Sequence, residues 1–201
     1  EAELLLENED EFENTSNLML DRQIHFNKRA VWATLARVYM TKGDKENAAK
    51  YAKMVIEDGK YTLKEKTEVQ DDLAGVLSKK ECIFGIYHPG FYTQVNAKLQ
   101  QLSFYYSLEI RNDFKTIYEN DGASGDYRTT AYFSELRLSD KDTRFRLCKL
   151  TDIYEQKNIV SSRPTDLILG INMIRVPEMY YIMAECLIDT DNDEALLYYN
   201  K

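Results

Sequence analysis

Two stretches of this chain, 147 residues apart, carry the same helical-hairpin pattern, and that recurrence restricts the available folds more than any other feature. From residue 27 to 58, Ala30, Ala33, Ala36 or Arg37, and Met40 recur every three to four residues. Gly43 stands where a helix C′ residue belongs, and Asp44 is placed to cap a second helix predicted to run through Val55. Laying Tyr39 on Cys186 puts Trp32 on Met179, Leu35 on Ile182, Asp44 on Asp191, Ala48 on Ala195 and Tyr51 on Tyr198. The offset is constant across all six pairs, and the Asp, Ala and Tyr pairs are identities. A stack of helical hairpins follows from such a recurrence.

The order Trp32-x-x-Leu35-Ala36-x-x-Tyr39, followed by Ala48, matches the first half of the tetratricopeptide pattern, with Ala36 replacing the small glycine and no closing proline. Small residues at these positions let two helices touch. The second copy stops inside its second helix, at Asn200-Lys201. Repeats of this kind cannot bury their apolar faces alone, so the natural chain is expected to continue.

Composition closes off several classes. Over 201 residues there are 26 basic and 34 acidic side chains, so 26 − 34 gives a net charge of −8 with both histidines neutral. Phosphate neutralisation would work against that field, which makes nucleic acid an unfavourable partner. Hydrophobic residues at 44%, with 3 Pro and 8 Gly, suit a globular core. Apolar runs such as Leu167-Ile168-Leu169 and Ile182-Met183-Ala184 fall far short of the ~20 residues of a spanning helix. Cys82, Cys148 and Cys186 are odd in number and widely spaced, and are expected to be buried free thiols.

Between the hairpins, residues 63–79 read as a polar helix or loop, and Cys82-Ile83-Phe84-Gly85-Ile86-Tyr87 as one short strand bounded by His88-Pro89-Gly90. Leu99, Leu102, Tyr106, Ile110, Phe114 and Ile117 predict one or two helices. A glycine-rich turn follows at 120–126, and 127–165 reads as short strands and loops.

The order of these elements resembles that of the SusD/RagB family. The resemblance rests on four signatures. The first is Lys28-Arg29-Ala30-Val31-Trp32-Ala33-Thr34-Leu35-Ala36-Arg37-Val38-Tyr39-Met40, followed by a Gly-Asp turn and Ala48-Ala49-x-x-Ala52-x-x-Val55-Ile56. The others are Glu81-Cys82-Ile83-Phe84, then Asp126-Tyr127-Arg128 behind Tyr118, then Arg175-x-x-Glu178-Met179-Tyr180-x-Ile182-x-Ala184-Glu185 with Glu194-Ala195 and Asn200. None is specific alone; their order and spacing are. Pro177 departs from the family's apolar helix former, and proline is tolerated in a first turn, so it is read as marking a helix start.

The resemblance implies a mainly α fold: tetratricopeptide-like hairpins in a SusD-like α–α superhelix, with an irregular, loop-rich segment holding a few short strands. It implies one region over 1–201, with scaffold and first hairpin in 1–60, an aromatic-rich ligand side in 61–172 and a closing, truncated hairpin in 173–201. It also implies a non-enzymatic capture protein on the cell-surface face of the outer membrane, delivering a glycan or other nutrient to a SusC-like TonB-dependent transporter. Membrane attachment would be through an amino-terminal lipid anchor that lies outside this chain, and no cofactor is implied.

Ligand residues are not fixed by motif in this family, so chemistry must select them. Glycan capture needs flat rings for sugar faces beside amides and charges for hydroxyls. The segment 87–106 supplies both, and the candidates are Tyr87, Phe91, Tyr92, Asn96, Tyr105 and Tyr106, with Tyr92 and Tyr105 foremost. Two alternatives stay open: a generic tetratricopeptide-like protein-interaction module, and capture of peptide or glycoprotein cargo.

Other constellations read as structural. Asp189-x-Asp191-x-Asp193 mimics the start of an EF-hand, but Glu194 and Asn200 occupy the glycine and bidentate glutamate positions, so a helix cap is expected and no metal site. Gly122-Ala123-Ser124-Gly125 fits neither a phosphate loop nor a nucleophile elbow. His25 and His88 lack triad or metal partners in sequence. Arg37, Arg175, Glu178 and Glu185 sit in apolar helical runs and are expected to be buried and ion-paired. Glu178 and Glu185 as an acid–base pair would stand roughly 10 Å apart along one helix, so no catalytic residue is assigned.

Overall fold

The computed structural model describes residues 1–6, 8, 21–65, 68, 76–91, 94 and 168–201, together with the backbone of 133–139 and 142–147. The chain divides into two compact units. The first comprises Glu1–Leu63, Leu77–Tyr87 and Asn172–Lys201, and the second Lys64–Val76 and His88–Ile171.

The first unit is mainly helical. After a single turn of helix, α1 (Ala2–Leu5), and a 3-10 turn at Arg22–Ile24, the first hairpin is α2 (Lys28–Lys42) and α3 (Lys45–Asp58). Its punctuation is the one the sequence predicts. Gly43 adopts φ +77° and Asp44 accepts from the Asn47 N–H, so one residue ends α2 and the next starts α3. The second helix runs three residues beyond Val55, to Asp58, where Gly59 at φ +69° stops it. Strand β1 (Cys82–Tyr87) coincides with the predicted strand.

The second hairpin consists of α4 (Val176–Leu187) and α5 (Asn192–Tyr199). Pro177 lies in the first turn of α4, the position where its missing N–H costs no hydrogen bond. The 147-residue offset holds in hydrogen bonds as well as letters. Asp44 accepts from Asn47 N–H as Asp191 does from Glu194 N–H, and Gly43 N–H donates to Met40 O as Thr190 N–H does to Leu187 O.

A further strand, β4 (Gly170–Arg175), precedes α4 where no strand is predicted, and it pairs with β1. Val176 N–H donates to Glu81 O at one end of the pair and His88 N–H to Leu169 O at the other, so the two strands run antiparallel. Within the second unit, β2 (Phe133–Ser139) and β3 (Asp142–Leu147) form an antiparallel hairpin, with Phe133 opposite Leu147 and Glu135 opposite Phe145. This agrees with the expected short strands of 127–165. The predicted helices of 99–118 and the turn at 120–126 lie outside the described residues.

Packing explains the alanine spacing. Ala30, Ala33, Ala36, Ala48 and Ala52 are fully buried, which lets α2 and α3 approach closely. Helix α4 packs on α3 and α5 and touches α2, inserting Met179, Ile182, Met183 and Cys186 into one core with Trp32, Val55, Ile83 and Ile174. Positions that are Thr34, Thr41, Ala49, Lys50 and Ala52 in the first hairpin become Tyr181, Ile188, Leu196, Leu197 and Tyr199 in the second, all exposed, Leu197 to 72%.

Polar groups tie these elements together. Asn27, 1% exposed, caps α2 by accepting from Ala30 N–H, while its Nδ2 donates to Ile83 O at 2.9 Å, Arg22 O at 3.0 Å and His25 O at 3.3 Å. Arg29, also buried, makes a bidentate pair with Asp58, both contacts at 2.9 Å, clamping the start of α2 to the end of α3. Arg37 bonds Glu178 across the two hairpins, and Arg175 bonds the buried Glu81. The expected pairing of Arg37, Glu178 and Arg175 is therefore present, though Arg37 and Glu178 remain over a third exposed. Glu185 differs: it is exposed, because its side of α4 turns away from the core occupied by Ile182 and Cys186.

Two stability predictions follow from this packing. Asn27→Asp preserves the cap oxygen but turns a carboxylate oxygen toward three carbonyls, and should lower unfolding free energy by on the order of 3 kcal/mol in urea titration; a loss no larger than that of Asp44→Ala would contradict the role given to the Nδ2 bonds. A double-mutant cycle on Arg37 and Glu178 should return a coupling under about 1 kcal/mol, given their exposure, whereas Asp58→Ala, which removes the carboxylate from a buried guanidinium, should cost several-fold more.

Candidate functional site: the residues after strand β1

The site candidates begin at the carboxyl end of β1. The strand is launched by a tight turn in which Glu81 N–H donates to Ser78 Oγ at 3.0 Å and Cys82 N–H to Ser78 O at 2.9 Å. Cys82 and Ile83 are fully buried, and the strand emerges from the core as it proceeds, leaving Ile86 and Tyr87 exposed, Tyr87 to 56%. A tyrosine at that exposure can offer both a flat apolar face and a hydrogen-bonding group.

Beyond Tyr87 the chain enters the second unit through His88-Pro89-Gly90. Phe91 N–H donates to His88 O at 3.2 Å and Gln94 N–H to Gly90 O at 3.3 Å, which curls the chain back on itself. The His88 and Phe91 rings meet edge to face at 6.0 Å and 73°. Both are half-buried, so Phe91 is partly committed to packing, and His88 Nδ1 is buried without a hydrogen-bond partner among the described residues. Of the six candidates, Tyr87 and Phe91 are therefore placed, one open and one packed on His88. Tyr92, Asn96, Tyr105 and Tyr106 lie outside the described residues. Nothing in the residue pattern singled out His88 as the partner of Phe91 beyond their three-residue spacing across a Pro-Gly turn.

The groups weighed for other chemistry have structural partners. Asp191 caps α5 and Asp189 bonds Lys45 Nζ at 2.6 Å. Glu178 is engaged by Arg37. Among the described residues, no three His, Cys, Asp or Glu side chains are grouped to hold a metal ion, and no helix is long and apolar enough to cross a membrane. His25 is exposed.

Cys82 and Cys186 are buried free thiols. Burial pushes the Cys82 thiol up to about 12, against the pull of nearby Arg175. Burial likewise raises Cys186, whose sulfur lies 3.8 Å from Met40 Sδ. Neither supplies a thiolate nucleophile near neutral pH.

The chain is similar to several solved structures. A SusD superfamily protein from Bacteroides thetaiotaomicron VPI-5482 aligns over 87% of this chain and 40% of its own, with TM-score 0.61 and 23% identity. A SusD-like carbohydrate binding protein from Bacteroides vulgatus ATCC 8482 aligns over 93% of this chain and 38% of its own, with TM-score 0.59 and 22% identity. The fold is SusD-like. A third structure, a SusD superfamily protein from the same Bacteroides vulgatus strain, aligns over 87% of this chain and 39% of its own, with TM-score 0.57 and 22% identity. The chain thus spans about 40% of the length of the SusD-like structures it matches. No family model matches the sequence, and no curated protein matches it. In this SusD-like fold the paired hairpins share one core with Ile83 of β1 and Ile174 of β4, and Tyr87 is the last residue of β1.

The thiols give a pH test. A folded pKa above the unfolded value means the contribution of the protonated Cys82 is complete below about pH 9 and is lost as pH rises toward 12. Urea unfolding from pH 8 to 10.5 should show stability falling by up to about 1.4 kcal/mol per pH unit from this group, and Cys82→Ala should flatten that slope; an unchanged slope would place the sensitivity elsewhere.

Proposed function

We propose that this chain is part of a SusD/RagB-family capture protein that holds a nutrient, most simply a glycan, at the cell surface and passes it to a SusC-like TonB-dependent transporter. The observation that carries the reading is the SusD-like fold over 87–93% of the chain, in company with a solved structure described as carbohydrate binding. The four sequence signatures, in family order, point the same way.

In this reading the hairpins are scaffold and 61–172 is the ligand side. Tyr87 offers a ring face to a sugar's C–H surface, with its hydroxyl to bond a sugar hydroxyl. Tyr92, Asn96, Tyr105 and Tyr106 extend the same chemistry along the chain. The work is binding and release. No bond is made or broken, and no cofactor takes part. A lipid anchor on the full-length protein would hold it at the outer membrane.

The test is a glycan array followed by calorimetry on the full-length ectodomain, with Tyr87→Ala, Tyr92→Ala and Tyr105→Ala alongside. One glycan class should bind, and losing a stacking ring worth about 0.5–1.5 kcal/mol should weaken it roughly 2- to 10-fold with unchanged circular dichroism. A folded protein that binds no glycan but retains an outer-membrane transporter in pull-down would move the cargo to peptides or glycoproteins. Failure of both would favour a plain protein-interaction module.

A further inference from the structure

We draw no further inference here: the strongest candidate, the exposed apolar outer face of the second hairpin formed by Tyr181, Ile188, Leu196, Leu197 and Tyr199, is an unpartnered helix face, and nothing in the structure shows what covers it.

Discussion

A single buried amide, the side chain of Asn27, fixes where the first hairpin meets the sheet. Its oxygen ends the search of α2 for a first-turn acceptor, and its nitrogen is shared among the carbonyls of Ile83, Arg22 and His25. A neutral amide accepts with its oxygen while its nitrogen brings two N–H donors, whereas a carboxylate has no donor, a hydroxyl has one and an aliphatic group has neither. The bond to Ile83 spans 56 residues, so a local cap becomes a long-range restraint. With α2 thus oriented on β1, the antiparallel β1–β4 pair and Glu81, bonded to Arg175, set the start of α4, and α4 can fill the space over α3 with Met179 and Met183.

The two hairpins show how far one backbone plan tolerates different side chains. Both use an aspartate at the turn and an alanine one helical turn later, and both bury the position held by Trp32 or Met179. They part at the next layer. In the first, Tyr39 stacks on Tyr51 with rings 5.7 Å apart and 4° from parallel. In the second, Cys186 replaces that tyrosine, and Tyr198, the counterpart of Tyr51, leans instead on Tyr180 at 6.0 Å and 53°. The repeat keeps the aspartate cap of each second helix, while the end of the first helix differs, with Asp44 N–H donating to Tyr39 O but Asp191 N–H to Leu187 O, and ring packing is left to local accommodation.

Much of this was legible in the residues because it is local. The Gly43-Asp44 turn, the extent of β1 and the role of Pro177 all depend on residues within a turn or two of one another, where capping and periodicity act. Asn27 illustrates the limit: as a polar residue before Lys28-Arg29-Ala30 it advertises a cap, but nothing nearby announces Ile83 as its partner. Arg29 and Asp58 are likewise joined only once α2 and α3 fold back antiparallel. Glu185 is exposed against expectation because an apolar run does not reveal which face of the helix carries the charge outward. At the candidate site, the end of β1 at Tyr87 was legible from a short apolar run bounded by His88-Pro89-Gly90, whereas Tyr92, Asn96, Tyr105 and Tyr106 were chosen by side-chain chemistry alone and lie outside the described residues.

The antiparallel β1–β4 ribbon has a consequence for how such a chain can change over time. The polypeptide leaves the scaffold after Tyr87 and re-enters at Asn172 on the neighbouring strand, so the long excursion between them begins and ends at one doorway. The contacts of Asn27 and the core shared by the two hairpins are made entirely by residues outside that excursion. Topology thereby lets change between the two strands leave the hairpin core untouched.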